Sequence, residues 1–207
     1  MYTLHWSADS GAFAPHAMLS EVGAEFQLVE VNLESDQHHT AEFLALNPRA
    51  QVPVLTLPDG TLMTESVAMM MHLADCHPKT GLMPGLGKKE RAMAYRWLLF
   101  GAVNLYETGC RIGDTHHYSE NKSDYEGIRA KALRDLERYW DMVAEAVGEG
   151  PFLLGERYSV ADICFLMLSQ WHPDLDGLTA RHPSLTTLRV AVRDRPAIDK
   201  IWDQNFG

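Results

Sequence analysis

Several features that mark specialised protein classes are scarce in this 207-residue chain. It has 18 lysines and arginines against 28 aspartates and glutamates, a formal net charge of −10, so phosphate backbones and anionic lipid are repelled on average. The longest strongly apolar run, Ile163 to Leu168, is far shorter than the roughly 20 residues that span a bilayer. We therefore expect neither a nucleic-acid partner nor a membrane partner.

Cysteine is also scarce. The three cysteines, Cys76, Cys110 and Cys164, are far apart and form no Cys-x-x-Cys pair, which fits a reducing compartment better than a disulfide framework. Residues 1–6 lack the basic start and apolar run of a secretory signal. These observations predict a cytoplasmic protein. Cys110 follows a predicted helix that should face the cleft, so a reactive thiol is one interpretation, and we favour the other, a buried, inert thiol.

The first 77 residues alternate strand-like and helix-like segments. Two of the strands flank Pro58-Asp59-Gly60, a hairpin turn sequence in which proline fixes one torsion and glycine tolerates a positive φ. The predicted order is β-α-β-α-β-β-α, with segments at 2–6, 14–22, 26–33, 40–46, 52–57, 61–64 and 65–76. Residues 1–77 are therefore predicted to form an α/β domain.

Residues 78–87, with two prolines and three glycines, are the one strong linker-like stretch. Beyond them the pattern is helical throughout, and we predict an all-helical domain at 88–207. Ser159 with Asp162 three residues later predicts a capped helix start. Two apolar stripes at helical spacing are predicted to face the core: Ala92, Tyr95, Leu99, Ala102, Val103 and Tyr106, and then Ile128, Ala132, Leu136, Tyr139, Trp140, Val143 and Val147.

Val52-Pro53 opens a predicted strand, at a position where proline cannot donate a ladder hydrogen bond. One interpretation is an ordinary proline that starts a strand. The other is a cis peptide bond that turns the N–H and C=O of Val52 towards a cleft. In that case an extended small peptide would bind there as an added strand.

Glu65-Ser66 lies where a strand leads into a helix. The free N–H groups of the helix start and the Ser66 hydroxyl suit a carboxylate, and Glu65 suits an ammonium beside it. Such a pair would hold the α-amino-acid end of a ligand. The alternative is that Ser66 only caps its own helix.

Together these residues resemble the cytosolic glutathione transferases. The matching blocks are 47–55 (Asn-Pro-Arg-Ala-Gln-Val-Pro-Val-Leu), 59–66 and 152–162, and the resemblance runs from about residue 1 to about residue 204. Residues 14–16 and 168–171 further resemble the bacterial beta class. The resemblance implies a thioredoxin-like domain with a cis proline, an all-helical domain that supplies the electrophile pocket, and a homodimer.

The resemblance also implies how glutathione binds. Val52, next to Pro53, would pair main chain to main chain with the cysteinyl part. Glu65 and Ser66 would hold the γ-glutamyl end, and Gln51 is a further binding candidate.

The glycyl end of glutathione departs from the family pattern. The basic residue that usually holds this carboxylate is replaced near Asp36. His38, His39 and Arg49 are the residues that could compensate.

The family's chemistry needs a thiolate, whereas a free thiol with a pKa of about 8.5 is mostly protonated at neutral pH. A hydroxyl that donates to sulfur at a helix N-terminus favours the charged form. Ser10, five residues before Pro15, resembles the catalytic serine of the theta and zeta classes. Ser7 is the second candidate, with a turn-stabilising role as its alternative. Beta-class enzymes carry a cysteine where this chain has Gly11, which argues against a mixed-disulfide route.

Tyr106 and Trp171 are candidates for binding an apolar second substrate, as are Tyr118 and His172, with core packing as the alternative. The pairs His38-His39 and His116-His117 invite a metal interpretation. Adjacent histidines do not share a helix face, however, and neither pair has an evident carboxylate or cysteine at ligand spacing, so we expect no metal.

The sequence therefore predicts a glutathione transferase that conjugates the glutathione thiolate to a small, largely apolar electrophile, without a metal or redox cofactor. Two alternatives stay open. One is glutathione-dependent disulfide or peroxide reduction, and the other is a non-catalytic binding module that kept the fold.

Overall fold

The chain divides into two units in the computed structural model, which describes residues 1–207. The first unit comprises Met1–Met83 together with Arg193–Gly207, and the second comprises Pro84–Val192. The division between Met83 and Pro84 falls inside the linker-like stretch. The C-terminal segment, however, joins the first unit, although the sequence pattern assigned it to the helical domain.

The first unit follows the predicted order of strands and helices. Strand β3 begins two residues later than predicted, because the proline before it cannot donate to the ladder. Strand β2 also ends three residues earlier than predicted. The elements are β1 (Tyr2–Trp6), α1 (Phe13–Glu21), β2 (Phe26–Glu30), α2 (Ala41–Leu46), β3 (Val54–Thr56), β4 (Leu62–Met63) and α3 (Ser66–Cys76).

The four strands form one mixed sheet in the order β2-β1-β3-β4. Strand β1 pairs parallel with β2, which places Leu4 beside Leu28, and antiparallel with β3, which places Leu4 beside Leu55. Leu4 and Leu55 are fully buried, so the centre of this sheet lies in the core of the first unit.

The second unit is helical. Its core helix, α7, is buried along almost its whole length, as its continuous apolar sequence requires. A π-helical segment, Gly101–Tyr106, joins the first two helices of the unit. The helices are α4 (Lys89–Phe100), α5 (Glu107–Gly113), α6 (Tyr125–Val147), α7 (Val160–Gln170), α8 (Leu175–Arg181) and α9 (Pro183–Arg193). No helix of the chain has the length and apolar character that a membrane span requires.

Gly101 allows the π-helical segment to pack closely on α7. A Cβ at this position would lie 3.1 Å from Cδ1 of Leu168 and 3.3 Å from Sγ of Cys164. A larger residue would therefore push the segment away from the core helix.

The predicted core face of α4 is wrong. Trp97 and Leu98 are buried, whereas Leu99 and Val103 of the predicted stripe are 57% and 64% exposed. Apolar residues occur on both faces of this helix, and periodicity alone cannot tell which face is inside. The predicted stripe of α6 faces the core, with Ala132, Leu136, Trp140, Val143 and Val147 buried and Ile128 and Tyr139 half-buried.

The final helix, α10 (Pro196–Phe206), packs against α1 in the first unit. The ring of Phe13 lies 5.8 Å from that of Trp202 and 5.0 Å from that of Phe206, centroid to centroid. These are contacts between the two ends of the chain, which local patterns cannot reveal.

The predicted cap of α7 is confirmed. The N–H and the hydroxyl of Ser159 donate to Oδ2 of Asp162 at 2.7 and 2.9 Å, and the N–H of Leu153 donates to Oδ1 at 2.8 Å. Burial raises the pKa of Asp162 to about 6, although the hydrogen bonds oppose that rise. Asp162 therefore serves the fold of the second unit.

Candidate functional site

The peptide bond between Val52 and Pro53 is cis, in agreement with the second interpretation of this dipeptide. The antiparallel pairing of β1 and β3 ends with His5 beside Val54. Pro53 is buried, Val52 is half-buried, and no hydrogen bond within the chain uses the N–H or the C=O of Val52. The main-chain polar groups of Val52 therefore have no partner within the chain, as the pairing of an added strand requires.

A buried amide shapes the turn that precedes Val52. Asn47 is only 4% exposed; its Nδ2 donates to the carbonyl of Gln51 at 2.7 Å, and its Oδ1 accepts from the N–H of Arg49 at 3.1 Å. Ala50 takes a left-handed φ of 53° within this turn, and Gln51 is exposed. Sequence reasoning missed the role of Asn47, although an Asn-Pro dipeptide is a turn signal that could have indicated it.

Helix α3 begins at Ser66 without a side-chain cap. The residue before it, Glu65, has φ 66°, a conformation that costs a non-glycine residue about 1–3 kcal/mol. Ser66 is the first helical residue and its hydroxyl makes no hydrogen bond within the chain, so it does not act as the cap of α3. The first N–H groups of the helix and this hydroxyl therefore have no side-chain partner within the chain, which is the arrangement that suits a carboxylate.

Arg49 joins the helix start to the turn before Val52. Its Nη1 lies 2.9 Å from Oε1 of Glu65, and the two side chains are 64% and 65% exposed. An ion pair this exposed contributes little stability, so either partner can exchange for a ligand group. The structure places Arg49 at the Glu65 side chain, whereas the sequence offered it as a partner for a glycyl carboxylate.

The two candidate serines lie in the loop between β1 and α1. The hydroxyl of Ser10 donates to the carbonyl of Ser7 at 2.6 Å and accepts from the N–H of Ala12 at 3.2 Å. The hydroxyl of Ser7 makes no hydrogen bond within the chain. Ser7 directly follows β1, and Val52 lies two residues before β3, at the end of the sheet where His5 pairs with Val54. Both serines are half-buried.

The same loop is held by the C-terminal helix, a contact that sequence reasoning missed. The N–H of Asp9, which has φ 49°, donates to the carbonyl of Asn205 at 2.8 Å. The Asn205 side chain lies 3.1 Å from Nδ1 of His16, and burial lowers the pKa of His16 to about 4, so this histidine is neutral at pH 7. The contact joins positions 9 and 205, and no local signal could have indicated it.

In the second unit the structure brings Tyr106 and Trp171 together. Their rings meet nearly edge to face, with centroids 5.4 Å apart, and both residues are half-buried. The other two candidates serve internal contacts. The Tyr118 hydroxyl donates to Oε1 of Glu107 at 2.9 Å, and the His172 side chain is buried.

Cys110 is half-buried rather than buried. Burial, with a smaller contribution from the charge of Glu107, raises the pKa of the Cys110 thiol to about 11. The thiolate is therefore scarce at neutral pH, as expected of an inert cysteine.

One statement about the histidine pairs needs correction. A carboxylate does lie beside His38 and His39, because Asp36 adopts a left-handed φ of 56° and begins the 3-10 turn at Gln37–His39. Sequence spacing in α-helical terms did not reveal this arrangement.

A mixed four-stranded α/β unit with an open main-chain edge, joined to a helical unit, defines the glutathione transferase class of folds. Residues 12–76 match the family model described as glutathione S-transferase, N-terminal domain, and residues 109–202 match that of the C-terminal domain. The chain belongs to the glutathione transferase family, and the predicted fold class is confirmed.

Individual proteins agree with this assignment. The chain is 31% identical to glutathione S-transferase GstA of Escherichia coli O157:H7 over 81% of each protein. It is 27% identical to the disulfide-bond oxidoreductase YfcG of Escherichia coli K12, over 86% of this chain and 84% of that protein. The crystal structure of a glutathione transferase homologue from Sulfitobacter with bound glutathione superposes with a TM-score of 0.90 at 26% identity, over 99% and 98% of the two chains.

Proposed function

We propose that this protein is a glutathione transferase that joins the thiolate of glutathione to a small, largely apolar electrophile. The observation that carries the proposal is the main chain of Val52, which precedes a cis peptide bond and has no hydrogen-bond partner within the chain, at the end of the sheet from which the serine-bearing loop leaves β1. A γ-linked tripeptide has an amide that can pair with this edge and a thiol next to that amide. The first unit would bind glutathione, and the second would supply the apolar pocket.

Glutathione would lie along the turn at residues 47–52. The N–H and C=O of Val52 would pair with the cysteinyl residue, and Gln51 would lie beside it. The ammonium of the γ-glutamyl end would replace Arg49 as the partner of Glu65. Its carboxylate would take the hydroxyl and first N–H groups at Ser66, where the helix dipole adds attraction.

Ser10 would activate the thiol. It lies at the positive end of α1, and the N–H of Ala12 holds its oxygen in place. The hydroxyl donates to the carbonyl of Ser7 at 2.6 Å, and rotation of its O–H turns that proton towards a bound sulfur. Ser7 is the alternative donor, because its hydroxyl has no internal partner.

Tyr106 and Trp171 would contact the electrophile in the second unit, since an edge-to-face aromatic pair offers a flat apolar surface. No metal or redox cofactor enters this reaction. The thiolate sulfur attacks the electrophilic carbon, and the leaving group departs with the displaced electron pair.

Glutathione-dependent disulfide reduction is the second candidate, and the 27% identity to a disulfide-bond oxidoreductase favours it. The chain has no cysteine in its first loop, so a protein mixed disulfide cannot form there. A first glutathione thiolate would attack the disulfide, and a second would resolve the resulting mixed disulfide.

One experiment separates these functions. Calorimetry with reduced glutathione, followed by rates with an aryl halide and with a small disulfide, should show binding and faster conjugation than reduction. Faster disulfide reduction with oxidised glutathione as product would favour the second candidate. Binding without either reaction would indicate a binding module, and no binding would overturn the proposal altogether.

We also propose a homodimer that covers an exposed apolar face formed by the end of α4 and the π-helical segment that follows it. Leu99 and Val103 lie four residues apart on one helical path and are 57% and 64% exposed. The three free cysteines fit the cytoplasm as its location. Replacement of both apolar residues by glutamate should convert the dimer to a monomer in light-scattering measurements.

A further inference from the structure

Three side chains in the loop after β2 have the composition of a transition-metal site. Asp36, His38 and His39 each offer one ligand atom, and these atoms all lie within 4.8 Å of one another. Two imidazoles and one carboxylate form a ligand set that suits zinc, cobalt, nickel and iron ions. None of the three takes part in the transfer step proposed above, although His38 and His39 were offered as partners for the glycyl carboxylate of glutathione.

The local backbone explains how neighbouring histidines come together. Asp36 is left-handed, and the N–H of His39 donates back to its carbonyl at 2.9 Å, which closes a 3-10 turn. In this turn the rings of His38 and His39 lie 4.1 Å apart, centroid to centroid. Residues that would diverge on an α-helix therefore present their rings side by side.

The loop that carries the cluster is held by its own hydrogen bonds. The N–H of Asn32 donates to Oε1 of Gln37 at 2.8 Å, and the N–H of Gln37 donates to the carbonyl of Asn32 at 3.0 Å. The backbone positions of the three side chains are thus set before any ligand arrives, which lowers the entropic cost of binding.

One nitrogen of the cluster lacks a partner. Nδ1 of His38 is buried and makes no hydrogen bond. A buried polar nitrogen without a partner is costly, and a bond to a metal ion would satisfy it. The proposal therefore rests on the close grouping of the three donors, and the unpartnered nitrogen adds to it.

We propose that Asp36, His38 and His39 bind one divalent first-row transition ion such as Zn²⁺. Ligand bonds of about 2.0–2.2 Å require the three donor atoms to move somewhat closer together. Asp36 and His39 are exposed side chains and can make that adjustment. Three protein ligands leave at least one position of the ion open to water or to a small anion. The formal charge of −10 favours cation binding, and the imidazoles select against Mg²⁺ and Ca²⁺.

The chain contains matched controls. His116 and His117 also have ring centroids 4.1 Å apart, but they belong to no group of three possible ligands. Cys76 and His72 form a second two-ligand pair, with Sγ 3.4 Å from Nε2. If two neighbouring donors were enough, all three places would bind metal equally well.

The test is calorimetric titration of the full chain with Zn²⁺ in the absence of glutathione, together with the visible spectrum of added Co²⁺. We expect one equivalent of Zn²⁺, and we expect the H38A/H39A variant to lose it. Asp36→Asn, an exposed and conservative change, should weaken binding more than about tenfold. The H116A/H117A and Cys76→Ser variants should bind like the wild type.

The proposal is overturned if the wild type binds no Zn²⁺, or if H38A/H39A and Asp36→Asn retain its affinity. It is also overturned if H116A/H117A or Cys76→Ser removes the bound equivalent. Circular dichroism of each variant establishes that it is folded. Because glutathione is absent from the titration, failure here does not bear on the transferase proposal.

Discussion

The same tripeptide, Ser-Val-Ala, occurs at the starts of α3 and α7, as residues 66–68 and 159–161, yet the two serines have different positions and partners. At α7 the serine precedes the helix and is fully buried, and Ser159 and Asp162 satisfy each other. At α3 the serine is the first helical residue, and Glu65 before it is exposed and left-handed. A helix start satisfied inside the protein contributes stability, whereas one left open offers a binding site.

The two helix starts differ because of the residue three positions after each serine. Ser159 is followed at that distance by Asp162, whose carboxylate can reach back to the N–H groups before the helix. Ser66 is followed by Met69, which is buried in the core and has no acceptor to offer. The spacing of Ser159 and Asp162 therefore predicts the cap of α7 from sequence, and the lack of an acidic residue three positions after Ser66 predicts that α3 has no such cap.

The largest expected effect is the loss of stability when Asp162 is removed from the start of α7, which we call the closed start because its donors are satisfied within the protein. Asp162→Ala leaves three donors buried without an acceptor, so the free energy of unfolding should fall by about 3 kcal/mol. Urea denaturation measures this loss. Glu126→Ala, an exposed acidic residue in the first turn of α6, is the control and should change stability by less than about 0.5 kcal/mol. Equal losses in the two variants would contradict the distinction between closed and open starts.

The cost of Asp162→Ala should also depend on pH. The folded pKa of about 6 lies above the ordinary value of 3.8, so Asp162 contributes most stability below pH 3.8 and loses that contribution as pH rises to about 6. The variant should therefore lose more stability relative to the wild type at pH 5 than at pH 7. A cost that grows towards pH 7 would show that the hydrogen bonds outweigh burial.

The next largest effect is expected on catalysis, at the start of α1, which shares one feature with the start of α7 and one with the start of α3. Ser10 has internal partners, like Ser159, but lies in the candidate site, like Ser66. Ser10→Ala should raise the pKa of the bound thiol by about two units, equivalent to about 2.7 kcal/mol, and lower kcat/KM for conjugation about 25-fold at pH 7, where the thiolate fraction falls by that factor.

Ser7→Ala is the matched variant, with an expected loss below about tenfold. Spectroscopic titration of the bound thiol reports the pKa directly, and the pH profile of kcat/KM should shift with it. The reverse order of the two variants would assign the donor role to Ser7.

Most of the fold was predictable from residues that lie close together in the sequence. The alternation of segments up to residue 77, the hairpin turn and the cap of α7 were all predictable, because each depends on residues close together in sequence. The packing of α10 on α1 was not, since Phe13 and Phe206 lie at opposite ends of the chain. The core face of α4 was also mistaken, because Leu99 and Leu98 are equally apolar and only tertiary packing distinguishes them.

The candidate site likewise contains residues that the sequence predicts and contacts that it does not. Val52-Pro53 and Glu65-Ser66 were recognisable from the chemistry that their residue types permit. Arg49 as the partner of Glu65 and Asn205 as the partner of the first loop were not, because those pairings span 16 and nearly 200 residues. Asp36 beside the histidine pair depends on a left-handed residue that spacing rules do not describe.

The smallest expected effects provide the sharpest test of the comparison, because one substitution can be made in both copies of the tripeptide. Ser66→Ala should weaken glutathione binding about tenfold, about 1.4 kcal/mol, by removing one hydroxyl from the carboxylate, and should leave unfolding within about 0.5 kcal/mol of wild type. Ser159→Ala should lower the free energy of unfolding by about 1 kcal/mol through loss of the cap and leave glutathione binding unchanged. Calorimetry and urea denaturation of both variants give four values. If the two substitutions weaken binding equally, or if Ser66→Ala destabilises the fold as much as Ser159→Ala does, then α3 does not begin with an open site, and the assignment of the γ-glutamyl end to Ser66 is wrong.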